Sequence, residues 1–150
     1  FFPATPNAKP DGRAEKKSLP RGNGQTILVV DDEIGILTAA QKILETNGYQ
    51  VITSGDGIEA LAVYAQHKDA IRVVLTDVMM PVMDGAAMLR VLRKLDPHIK
   101  VIATSGIDQD AKIEELKALG MKAFIPKPYT AERVLVTLHD VLHADAPAPA

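Results

Sequence analysis

Thr26-Ile27-Leu28-Val29-Val30-Asp31-Asp32-Glu33 decides the fold. Thr26 to Val30 runs without the polar alternation of a strand that keeps one face in water. Such a run is a strand buried on both faces, as in a parallel sheet covered by helices. It stops at an acid. Ile71 to Thr76 does the same and stops at Asp77. Tyr49–Thr53, Lys100–Thr104 and Lys122–Ile125 supply three more short strands. Between them apolar residues fall at helical spacing: Ile34, Leu37, Ala40, Ile43 and Leu44, closed by Asn47-Gly48; Ile58, Leu61, Ala62 and Ala65; Met88, Leu89, Leu92 and Leu95, closed by Asp96-Pro97; Ile113, Leu116 and Leu119, closed by Gly120; and Val134, Leu135, Leu138, Val141 and Leu142. Strand and helix alternate five times. That predicts an α/β fold, a doubly wound five-stranded parallel sheet with helices on both faces. In such sheets the site lies beyond the carboxyl ends of the strands, where Asp31, Asp77, Thr104-Ser105 and Lys127 fall.

The flanks read differently. Six of the ten prolines lie outside this pattern, at Pro3, Pro6, Pro10, Pro20, Pro147 and Pro149. We expect a linker over 1–24, a folded domain over 25–143 and a tail over 144–150. Phe1 in place of Met suggests a piece of a longer chain. Residues 1–24 carry five basic and two acidic side chains, a net of +3; the whole chain of 150 residues is −2, which leaves −5 on the rest. An acidic body lacks the basic face of a nucleic-acid binder. Three Phe, three Tyr and no Trp leave little to stack on bases. With no Cys, disulfides, thiolate metal sites and a cysteine nucleophile are excluded. No apolar run reaches the roughly 18–20 residues that span a bilayer.

Each candidate has an ordinary structural reading. Asp31-Asp32-Glu33 could cap a helix and favour its dipole, Asp77 could be a turn acid, and Lys127 a solvated loop residue. Together they point elsewhere. If the first and third strands are neighbours, Asp31, Asp32 and Asp77 crowd one rim, a costly arrangement unless a cation sits among them. A hard divalent ion with oxygen ligands fits, and Mg²⁺ takes one or two carboxylates and keeps waters. Three acids, a divalent metal and one lysine balance in charge, which suits phosphoryl transfer.

The chain from Thr26 to His143 resembles the receiver domain of two-component response regulators. The matching pieces are Val29-Val30-Asp31-Asp32-Glu33, Asp77 with Pro81 four residues on, Met83-Asp84-Gly85, Thr104-Ser105-Gly106 and Lys127-Pro128-Tyr129. The resemblance implies a flavodoxin-like (βα)5 sheet of order 2-1-3-4-5. It implies that Asp77 is the phosphoacceptor, that Asp31, Asp32, Asp77 and the Met79 backbone carbonyl hold Mg²⁺, and that Lys127 pairs with the phosphoryl oxygens beside a cis bond to Pro128. Ser105 matches the hydroxyl that meets the phosphoryl group, with Thr104 as its rival; Ser105 is preferred on its separation from Lys127 and the small Gly106 after it. Phe124 matches the aromatic switch position. Asp84 reads as a helix cap and Tyr129 as packing.

By the same resemblance the donor is the phosphohistidine of a histidine kinase or a histidine phosphotransfer domain, or a small phosphodonor. The chemistry is self-phosphorylation and autodephosphorylation, and the setting is cytoplasmic, without contact to membrane or nucleic acid. A homodimer would use the face of the fourth helix, fifth strand and fifth helix. The opening segment resembles the one before the C-terminal receiver of hybrid sensor histidine kinases; a stand-alone regulator is the alternative. Three other functions fit less well. A receiver fold kept only as an interaction module would not need the full set of acids, Lys and hydroxyl. A haloacid-dehalogenase-type phosphohydrolase wants a second Asp at Met79. A nucleotide-binding domain wants a Gly-rich turn where Asp31-Asp32-Glu33 stands. His67, His98, His139 and His143 lie outside this rim.

Overall fold

A computed structural model describes residues 19–106 and 110–144. Residues 1–18, 107–109 and 145–150, and with them most of the expected linker and tail, lie outside the described residues. The strands are β1 (Thr26–Val30), β2 (Gln50–Ser54), β3 (Ile71–Asp77), β4 (Lys100–Ser105) and β5 (Ala123–Pro126). The helices are α1 (Ile34–Thr46), α2 (Gly57–His67), α3 (Gly85–Leu95), α4 (Asp110–Ala118) and α5 (Ala131–Leu142). All strand pairs are parallel, in the order β2-β1-β3-β4-β5. The fold class and strand order are those expected.

Alternation along each strand sorts the core into two layers. Leu28, Val30, Val74, Val101 and Ala103 face Ala60 and Tyr64 of α2, Met88, Leu89 and Leu92 of α3, and Leu116 of α4. Ile27, Val29, Val73, Leu75, Ile102 and Ile125 face Ala40 and Leu44 of α1 and Val134, Leu135 and Leu138 of α5. Both faces of β1, β3 and β4 are therefore covered, which is why their sequences read as continuous apolar runs.

The helix starts use different devices. Asp56, Asp84 and Thr130 cap α2, α3 and α5, accepting from the backbone N–H of Glu59, Ala87 and Arg133. Glu33 occupies the cap position of α1 with no side-chain cap bond. Gly48 follows the end of α1 at φ 94°. A Cβ there would meet the Gly22 carbonyl oxygen at 2.5 Å, so this turn requires glycine twice over. Leu19 packs on the α1–α5 layer, and the Gly22 and Gly24 amides donate to Asn47 and Gly48 carbonyls.

Two of the predicted core stripes differ from the structure. Ile34 and Ile58 are 78% and 55% exposed. Each sits in the first turn of its helix, above the ends of the strands, where the sheet offers nothing to cover it. The buried face of α2 is Gly57, Ala60 and Tyr64, and Ala62 and Ala65 are exposed.

Candidate functional site

β1 and β3 are hydrogen-bonded neighbours with Val30 opposite Thr76. Each chain then turns at the same edge of the sheet, so the acids that follow arrive together. Asp31, Asp32 and Asp77 each present a carboxylate oxygen within 4.8 Å of the others. Asp31 and Asp77 are 2% and 6% exposed, whereas Asp32 is open to solvent. Asp31 does not cap α1; its Oδ1 accepts from the Glu33 N–H at 2.9 Å and so holds the turn that carries Asp32. Three converging carboxylate oxygens form a hard, all-oxygen donor set, which suits a small divalent cation and not a thiophilic one.

Lys127 reaches into this group from β5. Its Nζ lies 2.8 Å from Asp31 Oδ2, 3.3 Å from Asp77 Oδ2 and 3.7 Å from Glu33 Oε1. The Lys127 N–H donates to the Ser105 carbonyl at 2.7 Å, which extends the β4–β5 pairing to this residue. The Lys127-Pro128 bond is cis. Burial pushes the Asp77 carboxyl above the ordinary value; Lys127 opposes the rise and the Asp31 charge adds to it. Burial works against the Lys127 ammonium, but the hydrogen bond to Asp31 and the charges of Asp77 and Asp31 hold its pKa above the ordinary lysine value. Tyr129, half-buried in the α1–α5 layer, is raised by burial and then by the Asp31 charge.

The other expected residues surround this centre. Thr104 is the register partner of Asp77, and its carbonyl accepts from the Val78 N–H at 2.8 Å. Ser105 is fully buried, and its Oγ donates to the Gly106 carbonyl at 3.2 Å instead of facing Asp77. Met79 is 43% exposed at the rim, and its backbone N–H hydrogen-bonds the Asp77 carboxylate. Phe124 is half-buried against the α2–α4 layer on β5, with β4 between it and the strand of Asp77. The four histidines stand apart: His139 and His143 stack on each other at the end of α5, centroids 4.1 Å apart.

The β3–α3 loop closes the site. The Gly85 N–H donates to the Val78 carbonyl at 2.8 Å, and a Cβ on Gly85 would meet the Asp77 carbonyl oxygen at 2.9 Å. Glycine is what lets the start of α3 rest on the end of β3. Val82, 92% exposed, takes φ 69°. For a β-branched residue that is strained by about 1–2 kcal/mol. Two open clefts flank the centre. One of about 510 Å³ runs between α1 and the β5–α5 turn, past Gly35, Ile36, Gly106, Lys127 and Tyr129. The other, about 500 Å³, touches Asp32, Asp56, Ile58 and Val82.

Sequence reasoning missed one set of side chains. Lys112 of α4 bonds the Asp84 cap of α3 at 2.8 Å, and Arg93 donates to the carbonyls of Pro97, Ile99, Leu119 and Gly120. Charged residues on two helix surfaces carry no spacing that reveals such a meeting.

Known proteins resemble this chain in sequence and fold. Residues 27–139 match the model of the response regulator receiver domain. The sensor kinase CckA of Brucella abortus is 34% identical over 137 residues, 91% of this chain but 14% of that protein. The chemotaxis protein CheY of Treponema pallidum is 30% identical over 142 residues, 94% of this chain and 95% of that protein. Among solved structures, a CheX–CheY–BeF3–Mg²⁺ complex from Borrelia burgdorferi superposes with a TM-score of 0.73 at 30% identity, covering 89% of this chain and 98% of that one. Among the described residues no helix is long and apolar enough to cross a membrane. With its fold, its strand-end acids and a family match over most of its length, this chain belongs to the response regulator receiver domain family of two-component signalling.

Proposed function

We propose that Asp77 is the phosphoacceptor of this receiver and that Mg²⁺ binds at Asp31, Asp32, Asp77 and the Met79 carbonyl. The observation that carries this reading is the pair of buried carboxylates, Asp31 and Asp77, facing the exposed Asp32 within one ligand sphere and sharing Lys127. An Asp77 carboxylate oxygen attacks the phosphorus of a phosphohistidine. The phosphorus–nitrogen bond breaks, and the imidazole leaves with the electron pair. Lys127 Nζ, already 3.3 Å from Asp77, is placed to meet an oxygen of the incoming group. Ser105 turns its hydroxyl from the Gly106 carbonyl to another of those oxygens, and Thr104 is the competing donor. The bound metal supplies positive charge beside the transferred group's oxygens. Phe124 then responds to the Ser105 movement from the adjacent strand. Hydrolysis of the acyl phosphate resets the domain.

The donor is the phosphohistidine of a histidine kinase or phosphotransfer domain, which approaches the rim between the clefts lined by Lys127 and by Asp32. That a relative of this fold is found in a complex with BeF3 and Mg²⁺ supports the metal. The likeness to part of the sensor kinase CckA supports a receiver that belongs to a longer kinase.

The test is intact mass after incubation with acetyl phosphate, with and without Mg²⁺. We expect one phosphoryl group added to the wild type with Mg²⁺, none without it, and none on Asp77→Asn. An adduct that survives in Asp77→Asn would move the acceptor elsewhere.

A further inference from the structure

We infer that Lys112 is a positioning residue: a latch that ties α4 to the phosphoacceptor loop and holds the unphosphorylated arrangement. The inference rests on the assignment of Asp77 above. Asp84 is shared between two roles. Its Oδ1 accepts from the Ala87 N–H at 2.9 Å and caps α3, while its Oδ2 accepts from Lys112 Nζ at 2.8 Å. Burial raises the Asp84 carboxyl, but Lys112 and the Ala87 N–H outweigh it and hold the group below the ordinary carboxylate value. Lys112 also faces Glu115 Oε1 at 3.6 Å, and Glu115 bonds Arg90 of α3. The latch is thus one network joining α3 to α4.

The position of Asp84 makes the network relevant to chemistry. Gly85, next in the chain, donates to the Val78 carbonyl and rests against the Asp77 carbonyl oxygen. A force on Asp84 therefore reaches the peptide that carries the acceptor. At the other end, α4 begins five positions after Ser105. On the same assignment, Ser105 must swing from the Gly106 carbonyl to meet a phosphoryl group, which frees that carbonyl at the end of β4. α4 has little else to hold it, since Ile113 and Leu116 are its buried residues. A contact made in one state and strained in the other biases the equilibrium by its differential strength. Breaking it favours the phosphorylated state.

The test compares wild type, Lys112→Met and Lys112→Arg. Intact mass reads the ratio of phosphorylated to free protein at steady state with acetyl phosphate and Mg²⁺. Amide hydrogen exchange reads the first turn of α4 in the free protein, and thermal unfolding shows that each variant folds. The contribution of an exposed ion pair is small, so the ratio should rise only roughly two- to fivefold in Lys112→Met and stay near wild type in Lys112→Arg. The first turn of α4 should exchange faster in Lys112→Met. An unchanged ratio in Lys112→Met, or the same rise in Lys112→Arg, overturns the latch. A merely structural role would lower the unfolding temperature and leave the ratio alone, which also overturns it. If the wild type takes no phosphoryl group, the assignment of Asp77 fails, and the latch built on it fails with it; exchange differences alone do not rescue either.

Discussion

Lys127 Nζ faces Asp31, Asp77 and Glu33 at 2.8, 3.3 and 3.7 Å. On the proposed assignment, Asp77 is the acid whose protonation decides reactivity, because attack on phosphorus needs the carboxylate. Burial raises its pKa and Lys127 is the leading opposing influence. Removing Lys127 therefore raises it further. The reactive fraction falls as pH drops through that pKa, so the acid limb of the phosphorylation rate in Lys127→Ala should lie at higher pH than in wild type. At neutral pH the rate should fall roughly ten- to hundredfold, the loss of one charge-assisted hydrogen bond to the transferred group. Rates with acetyl phosphate at fixed Mg²⁺ across pH 4 to 8, in a variant with wild-type circular dichroism, check both. An unmoved acid limb would show that Lys127 does not set the state of Asp77. Asp31, Asp77 and Lys127 were legible in the sequence because each follows an apolar strand, and strand ends are where this architecture gathers its chemistry. The Ser105 rotamer was not. Two adjacent hydroxyls, Thr104 and Ser105, fit the same pattern, and only the coordinates show that Ser105 Oγ is turned to the Gly106 carbonyl.

The elements show a similar division. β1, β3 and β4 could be read because burial on both faces leaves an uninterrupted apolar signature, whereas edge strand β2, half-buried along most of its length, is shifted by one residue from its predicted bounds. The α2 stripe was misplaced because Tyr64 looks amphipathic. It is fully buried, and its hydroxyl donates to Asp96 Oδ2 at 2.7 Å beyond the end of α3. That bond has a consequence for acid stability. The Tyr64 hydrogen bond is the leading cause that lowers the Asp96 pKa, with the His98 N–H adding to it against a smaller effect of burial. A carboxylate with a depressed folded pKa stabilises the fold above its unfolded pKa, near 4, and loses that contribution as pH falls through the folded value. Tyr64→Phe should therefore cost about 1 kcal/mol at pH 7, below the range of bonds to fully buried charged acceptors because Asp96 is partly solvated. The deficit should shrink as pH falls below the unfolded carboxylate value, near 4, and on through the lower folded value of Asp96. Urea unfolding at pH 7 and pH 3 measures the two gaps, and equal gaps would detach the Tyr64 bond from the charge of Asp96.

At the scale of the whole molecule, the sheet brings together side chains that the sequence holds far apart. Asp31 and Asp77 are 46 positions apart and Lys127 lies 50 further on, yet parallel pairing in the order β2-β1-β3-β4-β5 sets all three at one rim. Alternating strands and helices foretold a parallel sheet, but not which strands are neighbours; that order came from the resemblance, since several orders satisfy the same alternation. Folding thus gathers like charges, and the cluster of Asp31, Asp32 and Asp77 is costly without a cation. A ligand bound only by the folded state stabilises it by about 2.7 kcal/mol at a hundredfold excess over its dissociation constant, about 10 °C in unfolding temperature for a domain of this size. Asp32 separates the cost of the site from its use. It is the exposed acid of the three, so Asp32→Asn should leave the metal-free protein within about 0.5 kcal/mol of wild type, or slightly more stable through relief of repulsion. The Mg²⁺-dependent rise should be mostly lost. Calorimetric unfolding with EDTA and across a Mg²⁺ titration reads both quantities on the same two proteins. A full Mg²⁺ rise in Asp32→Asn would mean that the cation is held without the exposed acid, and the ligand set would have to be redrawn around the two buried ones.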